Sequence, residues 1–396
     1  MLVYVDIINY ANIINQIGYE KRGRLFGILT TKIKETLQSW ELCCSHNEKD
    51  FILLCAYDED HSVLKRRFLG CYQAVVKEWK ADEELALVLP KFRAGIYRIL
   101  KQDSDVNIMI EHAKFAKDYI KQFGSYGFSF FDNQCYERER RRLDIENRME
   151  QALANGEFKL YVQPKVDTKT GIISGGEALI RWQEKNGTIV SPGEFILIFE
   201  ENGFVKDLDY FVYNQMFEHL KYWIDVHGTD LIIAVNVSRI HLEEGEFIAN
   251  LVNIARKHKI PVNQIELEIT ESAFLEDTDH LKEVLSNLHD IGFHISLDDF
   301  GAGYSSLNIL KNLTIDILKL DRGFFLNPVP LHKDIVLITS IIDLAHKLGL
   351  KVVAEGIETE EYVKLLQKCG CDFIQGYYYY KPMPVEEFEK IAFYDE

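Results

Sequence analysis

Between residues 231 and 375 of this 396-residue chain, six short apolar runs each stop on a lone polar or charged residue. The runs are 231–235, 265–267, 294–297, 315–318, 351–354 and 372–374, and the residues closing them are Asn236, Glu268, Asp298, Lys319, Glu355 and Gln375. Helix-like segments separate the runs. A buried strand that stops on a carboxylate needs a reason, and a (β/α)8 barrel supplies one. There the C-terminal ends of eight parallel strands meet at one mouth, so groups distant in sequence share one space. Two earlier runs, 158–162 and 175–180, bring the candidate strands to eight. Together they occupy about 240 residues, which suits a fold that typically takes about 250.

The chain is long enough for about two domains, each able to bury a full core. Its formal net charge of −17 argues against nonspecific binding to DNA or RNA, which is met by clustered Lys and Arg. The one dense basic run, 138–142, is interleaved with Glu137 and Glu139 and reads as a solvated helix face. Metal ions and small ligands are the better partners. Seven cysteines show no zinc-binding spacing, and their odd number suits a reducing, cytoplasmic compartment. Residues 1–10 read as an apolar strand carrying Asp6, without a signal peptide's basic region or cleavage site, and a start directly on a strand hints at trimming. Nowhere do about 18 uncharged apolar residues run together, so no membrane insertion is expected, although the chain could be the soluble part of a longer, anchored protein.

Residues 1–132 alternate strand-like and helix-like segments. Strands are expected at 2–7, 42–44, 51–57, 92–99 and 128–131, and helices from the first strand to about 38, up to 80, and over 105–122. This pattern predicts an α+β domain on a mixed or antiparallel sheet. The charged, periodic stretch 133–154 predicts one long helix that Asn155-Gly156 stops, a linker able to couple two domains rigidly. The barrel then fills 155–396.

The polar set at the expected mouth is Glu177 on the second strand, Asn236, Glu268, Asp298 with adjacent Asp299, Lys319, Glu355 and Gln375. Carboxylates crowded into one pocket raise each other's pKa unless cations neutralise them. Oxygen donors without cysteine or clustered histidine favour hard cations, so Mg²⁺ or Mn²⁺ fits better than Zn²⁺. Two ions about 3.5–4 Å apart could clamp the attacking and leaving oxygens of a phosphodiester displacement. Lys319 could then orient or help deprotonate the attacking water. For any one of these residues a capping or salt-bridge role is the simpler reading; six consecutive strand ends in agreement favour a site. Glu271, three residues after Glu268, reads equally well as a helix-start carboxylate or as the organiser of a loop. The run Asp298-Asp299-Phe300-Gly301-Ala302-Gly303 half-matches kinase and dinucleotide motifs, but Ser306 stands where the last glycine of a G-x-G-x-x-G would be, and no kinase catalytic loop accompanies it. His294, inside a strand, is expected to pack in the core. Tyr377 to Tyr380 could stack on bases, with alternate positions pointing inward.

In these motifs the second half, from about residue 150 onward, resembles the EAL family of cyclic-di-GMP phosphodiesterases. The name-giving motif stands as Glu177-Ala178-Leu179, followed in order by Asn236-Val237-Ser238, Glu268-Ile269-Thr270-Glu271, Asp298-Asp299-Phe300-Gly301, Lys319-Leu320-Asp321, Glu355-Gly356-Ile357-Glu358 and Gln375-Gly376-Tyr377. The resemblance implies a TIM-like (β/α)8 barrel that hydrolyses cyclic di-GMP to linear pGpG in bacterial second-messenger signalling. It implies that Glu177, Asn236, Glu268 and Asp298 bind one Mg²⁺ or Mn²⁺ and that Asp298, Asp299 and Glu355 bind a second. By the same resemblance Lys319 contacts the nucleophilic water and Gln375 helps hold it, while Arg181 and Gln163 bind substrate. Glu271 would brace the loop from Asp299 to Ser306, which in the family lies near a dimer interface, so a homodimer through the barrel is expected. No motif position departs from the pattern.

The first half resembles, more loosely, a GGDEF or diguanylate cyclase domain. Val3-Tyr4-Val5-Asp6 fits its first strand with a metal-binding carboxylate, Asn9 and Asn15 fall at expected polar positions, and 51–54 fits the strand after the signature. The signature itself reads Asn47-Glu48-Lys49-Asp50-Phe51, without the glycines that admit phosphates, and Lys49 replaces a metal carboxylate. Arg24 falls near the position of a guanine-contacting acid. The expectation is a degenerate, catalytically inactive domain that is regulatory or dimerising. The rival readings are a receptor that binds cyclic di-GMP without cleaving it and a barrel phosphohydrolase for other nucleotides.

Overall fold

The computed structural model describes residues 1–394 except 9, 48, 58–61, 84, 87, 124–126, 244, 275–277, 302–309 and 311–312. Asn9, Glu48 and the 302–306 part of the loop after Asp299 therefore lie outside the described residues. The chain forms two compact units, Met1–Leu143 and Asp144–Glu396, and the helix Asn133–Ala154 contains the division between them.

In the first unit five strands, β1 (Leu2–Ile8), β2 (Leu42–Ser45), β3 (Asp50–Leu54), β4 (Lys91–Tyr97) and β5 (Gly127–Phe130), form one sheet in the order β2-β3-β1-β4-β5. Only β4 and β5 run parallel. Strand β1 is apolar at almost every position because both faces of the sheet are covered. Val3, Val5 and Ile7 enter a core with Leu25, Leu29 and Trp79, while Leu2 and Tyr4 pack with Met109 and Ala113 on the other side. The single helix expected after β1 is two, Tyr10–Ile17 and Arg22–Thr36, divided where Gly18 takes φ +92°, a conformation that ends a helix.

The second unit is a closed, TIM-like eight-stranded barrel of β6 (Phe158–Asp167), β7 (Ile173–Gln183), β9 (Ile232–Asn236), β10 (Ile265–Thr270), β11 (His294–Phe300), β12 (Ile317–Leu320), β13 (Lys351–Ala354) and β14 (Phe373–Ile374). Two short strands outside the ring, β8 (Ile189–Val190) and β15 (Met383–Pro384), pair with β7 and β6. The strands are not all parallel, as the sequence led us to expect. Strand β6 is antiparallel to both β7 and β14, whereas every pair from β7 round to β14 is parallel. The cause is the connection after β6, a tight turn in which the Asp167 carboxylate accepts from the Lys169 and Thr170 N–H groups. So short a link can make only a hairpin, since a parallel return needs a crossover of a dozen residues or more.

Each parallel strand is buried between the barrel interior and the outer helices, so its residues are covered on both faces. Leu267, Ile269, Leu297, Leu318 and Val352 are fully covered. The hairpin end is closed by an aromatic cluster, with Trp182 packed against Phe158, Phe195 and Phe199. Among the described residues no helix is long and apolar enough to cross a membrane, and the seven cysteines are unpaired. Trp182 is fully buried, so Trp182→Ala is expected to destabilise the barrel by about 3–5 kcal/mol. Denaturant unfolding followed by circular dichroism reads this directly; a midpoint unchanged from wild type would show that the cluster contributes little.

Candidate active site

Parallel register sets which strand positions face one another. Asn236 lies beside Glu268, Thr270 beside Asp298, and Lys319 beside Val353. Lys319 is 1% exposed and its ammonium is the hub. Nζ lies 2.7 Å from Glu355, 2.8 Å from Glu268, 3.2 Å from Asp298 and 3.7 Å from Glu177. Glu177 accepts from the amides of Gln375 at 2.5 Å and Asn236 at 3.1 Å, and Gln375 also donates to Gln163 at 3.2 Å. Gln163 in turn donates to the Tyr380 carbonyl. Thus Glu177, Asn236, Glu268, Asp298, Lys319, Glu355, Gln375 and Gln163 form one connected network drawn from every quarter of the barrel.

Three expected residues stand at its margin. Asp299 is an exposed residue at φ +55°, unusual for any side chain but glycine, and its N–H donates to Asp298 at 2.8 Å. Pairing with β12 is irregular between Leu297 and Phe300, so these two aspartates sit on a bulge. Glu271 is buried and accepts the Gly301 N–H at 3.5 Å, where the chain leaves β11. Gly301 itself has φ +100°, and a Cβ there would meet the Phe324 ring at 2.3 Å. Arg181, on the same face of β7 as Glu177, is half-buried, donates to its neighbouring Ile180 carbonyl at 2.9 Å and lies over the Tyr161 ring, with no ion pair to a carboxylate among the described residues. Two lesser expectations fail. His294 opens β11 half-exposed, 4.0 Å from Asp316, because the strand begins rather than continues there. Tyr377 and Tyr378 are adjacent and both exposed, because they occupy a turn after β14 instead of an alternating strand.

The charges are unevenly shared. Burial alone would raise Glu268, but Lys165 and Lys319 outweigh it and hold the carboxyl down at about 2. Burial raises Glu177 to about 7, with Glu268 and Asp298 adding to the rise against Lys319. Burial likewise puts Glu355 well above the usual carboxylate range despite its contact with Lys319. Among the described residues no three His, Cys, Asp or Glu side chains are drawn together as they would be on a bound ion; the ammonium of Lys319 is what gathers these carboxylates. The donors nonetheless fit a hard cation. All are oxygens, and the buried Glu268 Oε2 has no hydrogen-bond partner among the described residues.

Sequence reasoning passed over Lys165 and Glu266. Lys165 Nζ bonds Glu266 at 2.9 Å and Glu268 at 3.0 Å, all three buried. The signal was present: Glu266 and Glu268 are two apart on one strand, hence on one face, and Lys165 interrupts the apolar end of β6.

The EAL domain family model matches residues 146–382, more than half of the chain, so the chain belongs to the EAL domain family. A protein named as uncharacterized, sll1895 of Synechocystis sp., is 30% identical over 94% of this chain and 53% of its own length. The cyclic di-GMP phosphodiesterase NbdA of Pseudomonas aeruginosa is 27% identical over 98% of this chain and 49% of its own. A solved structure described as the PaMucR phosphodiesterase in complex with c-di-GMP superposes with a TM-score of 0.59 at 34% identity, covering 62% of this chain and 99% of that one. The chain spans about half the length of those two curated relatives.

The raised pKa of Glu177 has a checkable consequence. Below its ordinary value near 4.5 the carboxyl is protonated folded or unfolded and costs nothing; between there and about 7 only the folded protein keeps the proton, so stability falls as pH rises and the full penalty is present above 7. In chelator, the stability of Glu177→Gln relative to wild type should therefore improve from pH 5 to pH 8 by roughly 1–3 kcal/mol. A difference between the two proteins that does not vary with pH would refute this account of Glu177.

Proposed function

We propose that this chain is a metal-dependent phosphodiesterase that hydrolyses one phosphodiester of cyclic di-GMP to linear pGpG. The observation that carries the proposal is the convergence of five acidic side chains, Glu177, Glu266, Glu268, Asp298 and Glu355, on two ammoniums among the described residues, Lys165 and Lys319. The acids outnumber the cations, and burial that raises Glu177 and Glu355 leaves them protons to give up to an incoming cation. Glu177, Asn236, Glu268 and Asp298 would hold one Mg²⁺ or Mn²⁺, and Asp298, Asp299 and Glu355 a second, which when bound would polarise the scissile phosphate and acidify an attacking water. The contacts such ions would replace are those of Lys319 with Glu268 and Asp298. Lys319 then keeps Glu355 as its partner and offers its remaining N–H donors to the water, holding the attacking oxygen in place. Gln375, fixed against Glu177 and Gln163, confines that side of the pocket, and Arg181, whose guanidinium has donors beyond the one given to the Ile180 carbonyl, would meet a substrate phosphate. Glu271 fixes the start of the loop after β11 through Gly301. Unpaired cysteines suit a cytoplasmic site of action.

We read the first unit as a degenerate GGDEF domain, regulatory rather than synthetic. Its Asp6 carboxylate, the expected metal ligand, is already bound by Arg93 at 2.8 Å and Lys117 at 3.1 Å, and a cation there would have to displace both. Homodimerisation through the barrel has support in the apolar side chains Leu331, Val336 and Leu337, each more than half exposed on or beside the helix His332–Lys347.

Chromatography of cyclic di-GMP incubated with the purified chain tests the reading. Product should form with Mg²⁺ or Mn²⁺, vanish in chelator, and fall at least 100-fold in Glu177→Ala with the fold intact. Tight binding without product would replace the enzyme with a receptor, and binding competed equally by cyclic mononucleotides would point to another substrate. Sedimentation should show a dimer that Val336→Asp/Leu337→Asp converts to monomer; a wild-type monomer at micromolar concentration would remove the dimer from the proposal.

A further inference from the structure

Besides Lys319, Glu268 has a second cationic partner. Lys165 Nζ lies 3.0 Å from Glu268 Oε1 and 2.9 Å from Glu266, with its side chain 5% exposed. Lys319 contacts the same Glu268 Oε1 at 2.8 Å, so one oxygen carries both ammoniums and Oε2 carries none. The two cations differ in what they can do. Lys319 has three other carboxylates to turn to. Lys165 is held by Glu266, from the strand next to that of Asn236, and among the described residues its one other ion pair is with Glu268.

We propose that Lys165 is a positioning residue of the active site: anchored by Glu266, it fixes Glu268 Oε1 so that Oε2 stays presented as a metal-binding atom when Lys319 is drawn toward the reacting water. This rests on the metal-dependent reading above. A buried carboxylate with one oxygen hydrogen-bonded and the other free has its plane set before a cation arrives, and partners that orient ligands in this way typically contribute 10- to 100-fold to metal affinity. Without Lys165, Glu268 would depend on Lys319 alone, and the lysine could serve the carboxylate or the water but not both.

The test removes the pair as a unit. Lys165→Met alone would leave Glu266 buried without its cation and could fail to fold. Lys165→Met/Glu266→Met deletes one charge of each sign, leaving the net charge around Glu268 unchanged and replacing a buried ion pair by apolar volume, an exchange that is often neutral for stability. Mn²⁺ binding is counted from the free-ion electron paramagnetic resonance signal in the absence of substrate, and hydrolysis of cyclic di-GMP is titrated with Mn²⁺. The folded double variant should bind Mn²⁺ about 10-fold more weakly or worse, with turnover at saturating Mn²⁺ within a few-fold of wild type. A folded double variant with wild-type Mn²⁺ affinity would overturn the assignment, as would one whose turnover collapses while its affinity is kept. A wild-type chain that binds no Mn²⁺ and cleaves nothing would bring down the functional reading itself, and the positioning role with it.

Discussion

An ammonium buried among carboxylates can balance only one of them, and the barrel interior is organised around that shortage. Taking each charge out of water costs several kcal/mol, which mutual attraction offsets only when the geometry is good and the remaining atoms are hydrogen-bonded. Lys319 satisfies these terms for Glu268, closely flanked by Asp298 and Glu355. Glu177, farther off at 3.7 Å, is supported instead by the neutral amides of Gln375 and Asn236. The result is uneven ionisation across one pocket: Glu268 held at about 2, Glu177 raised to about 7 and Glu355 well above the usual carboxylate range. A site in that condition takes up positive charge readily, since a cation relieves repulsion that the fold cannot relieve by itself.

The backbone is shaped to the same end. Asp298 and Asp299 stand side by side on a bulge, with Asp299 in the left-handed region, a conformation that costs of order 1–3 kcal/mol for such a residue. The chain beyond them turns at Gly301, where the Phe324 ring excludes any side chain, and Glu271 receives the Gly301 N–H. Strain at Asp299 is thus held in place from both sides. At the opposite edge, Gly376 follows Gln375 where a Cβ would lie 2.3 Å from the Ile357 backbone, so Gln375 is pressed against the strand end that carries Glu355.

Much of this was legible because period and termination are local properties of a sequence. Every barrel strand announced itself as an apolar run, and the residue ending each run marked the mouth, which is why Glu268, Asp298, Lys319, Glu355 and Gln375 were found together. What was hidden depended on partners. The reversal of β6 follows from a turn built by Asp167, not from the strand's own composition. Lys165 and Glu266 lie below the strand ends, where a polar residue inside an apolar run has no meaning until the strand opposite is known. His294 and the tyrosines after β14 were misplaced because a strand's first residue and a turn's exposed pair look, in sequence, like strand interior.

The first unit shows the same electrostatics with the opposite balance. Asp6 also lies in a strand at the centre of a sheet and is also buried, but it is held by two cations, Arg93 with two hydrogen bonds and Lys117, which also pairs with Asp118, with one. A metal that bound Asp6 would have to displace a two-pronged guanidinium contact, one of the stronger charge-assisted pairings. Lys49 adds positive charge just before strand β3 begins, where its carbonyl accepts the Ile7 N–H at 3.2 Å. In the barrel several buried carboxylates share each ammonium, whereas in the sheet one carboxylate holds a guanidinium and an ammonium. That difference in how far the fold satisfies a buried carboxylate with its own cations, more than the presence or absence of any single motif residue, is the physical reason to look for a cation site in the second unit first.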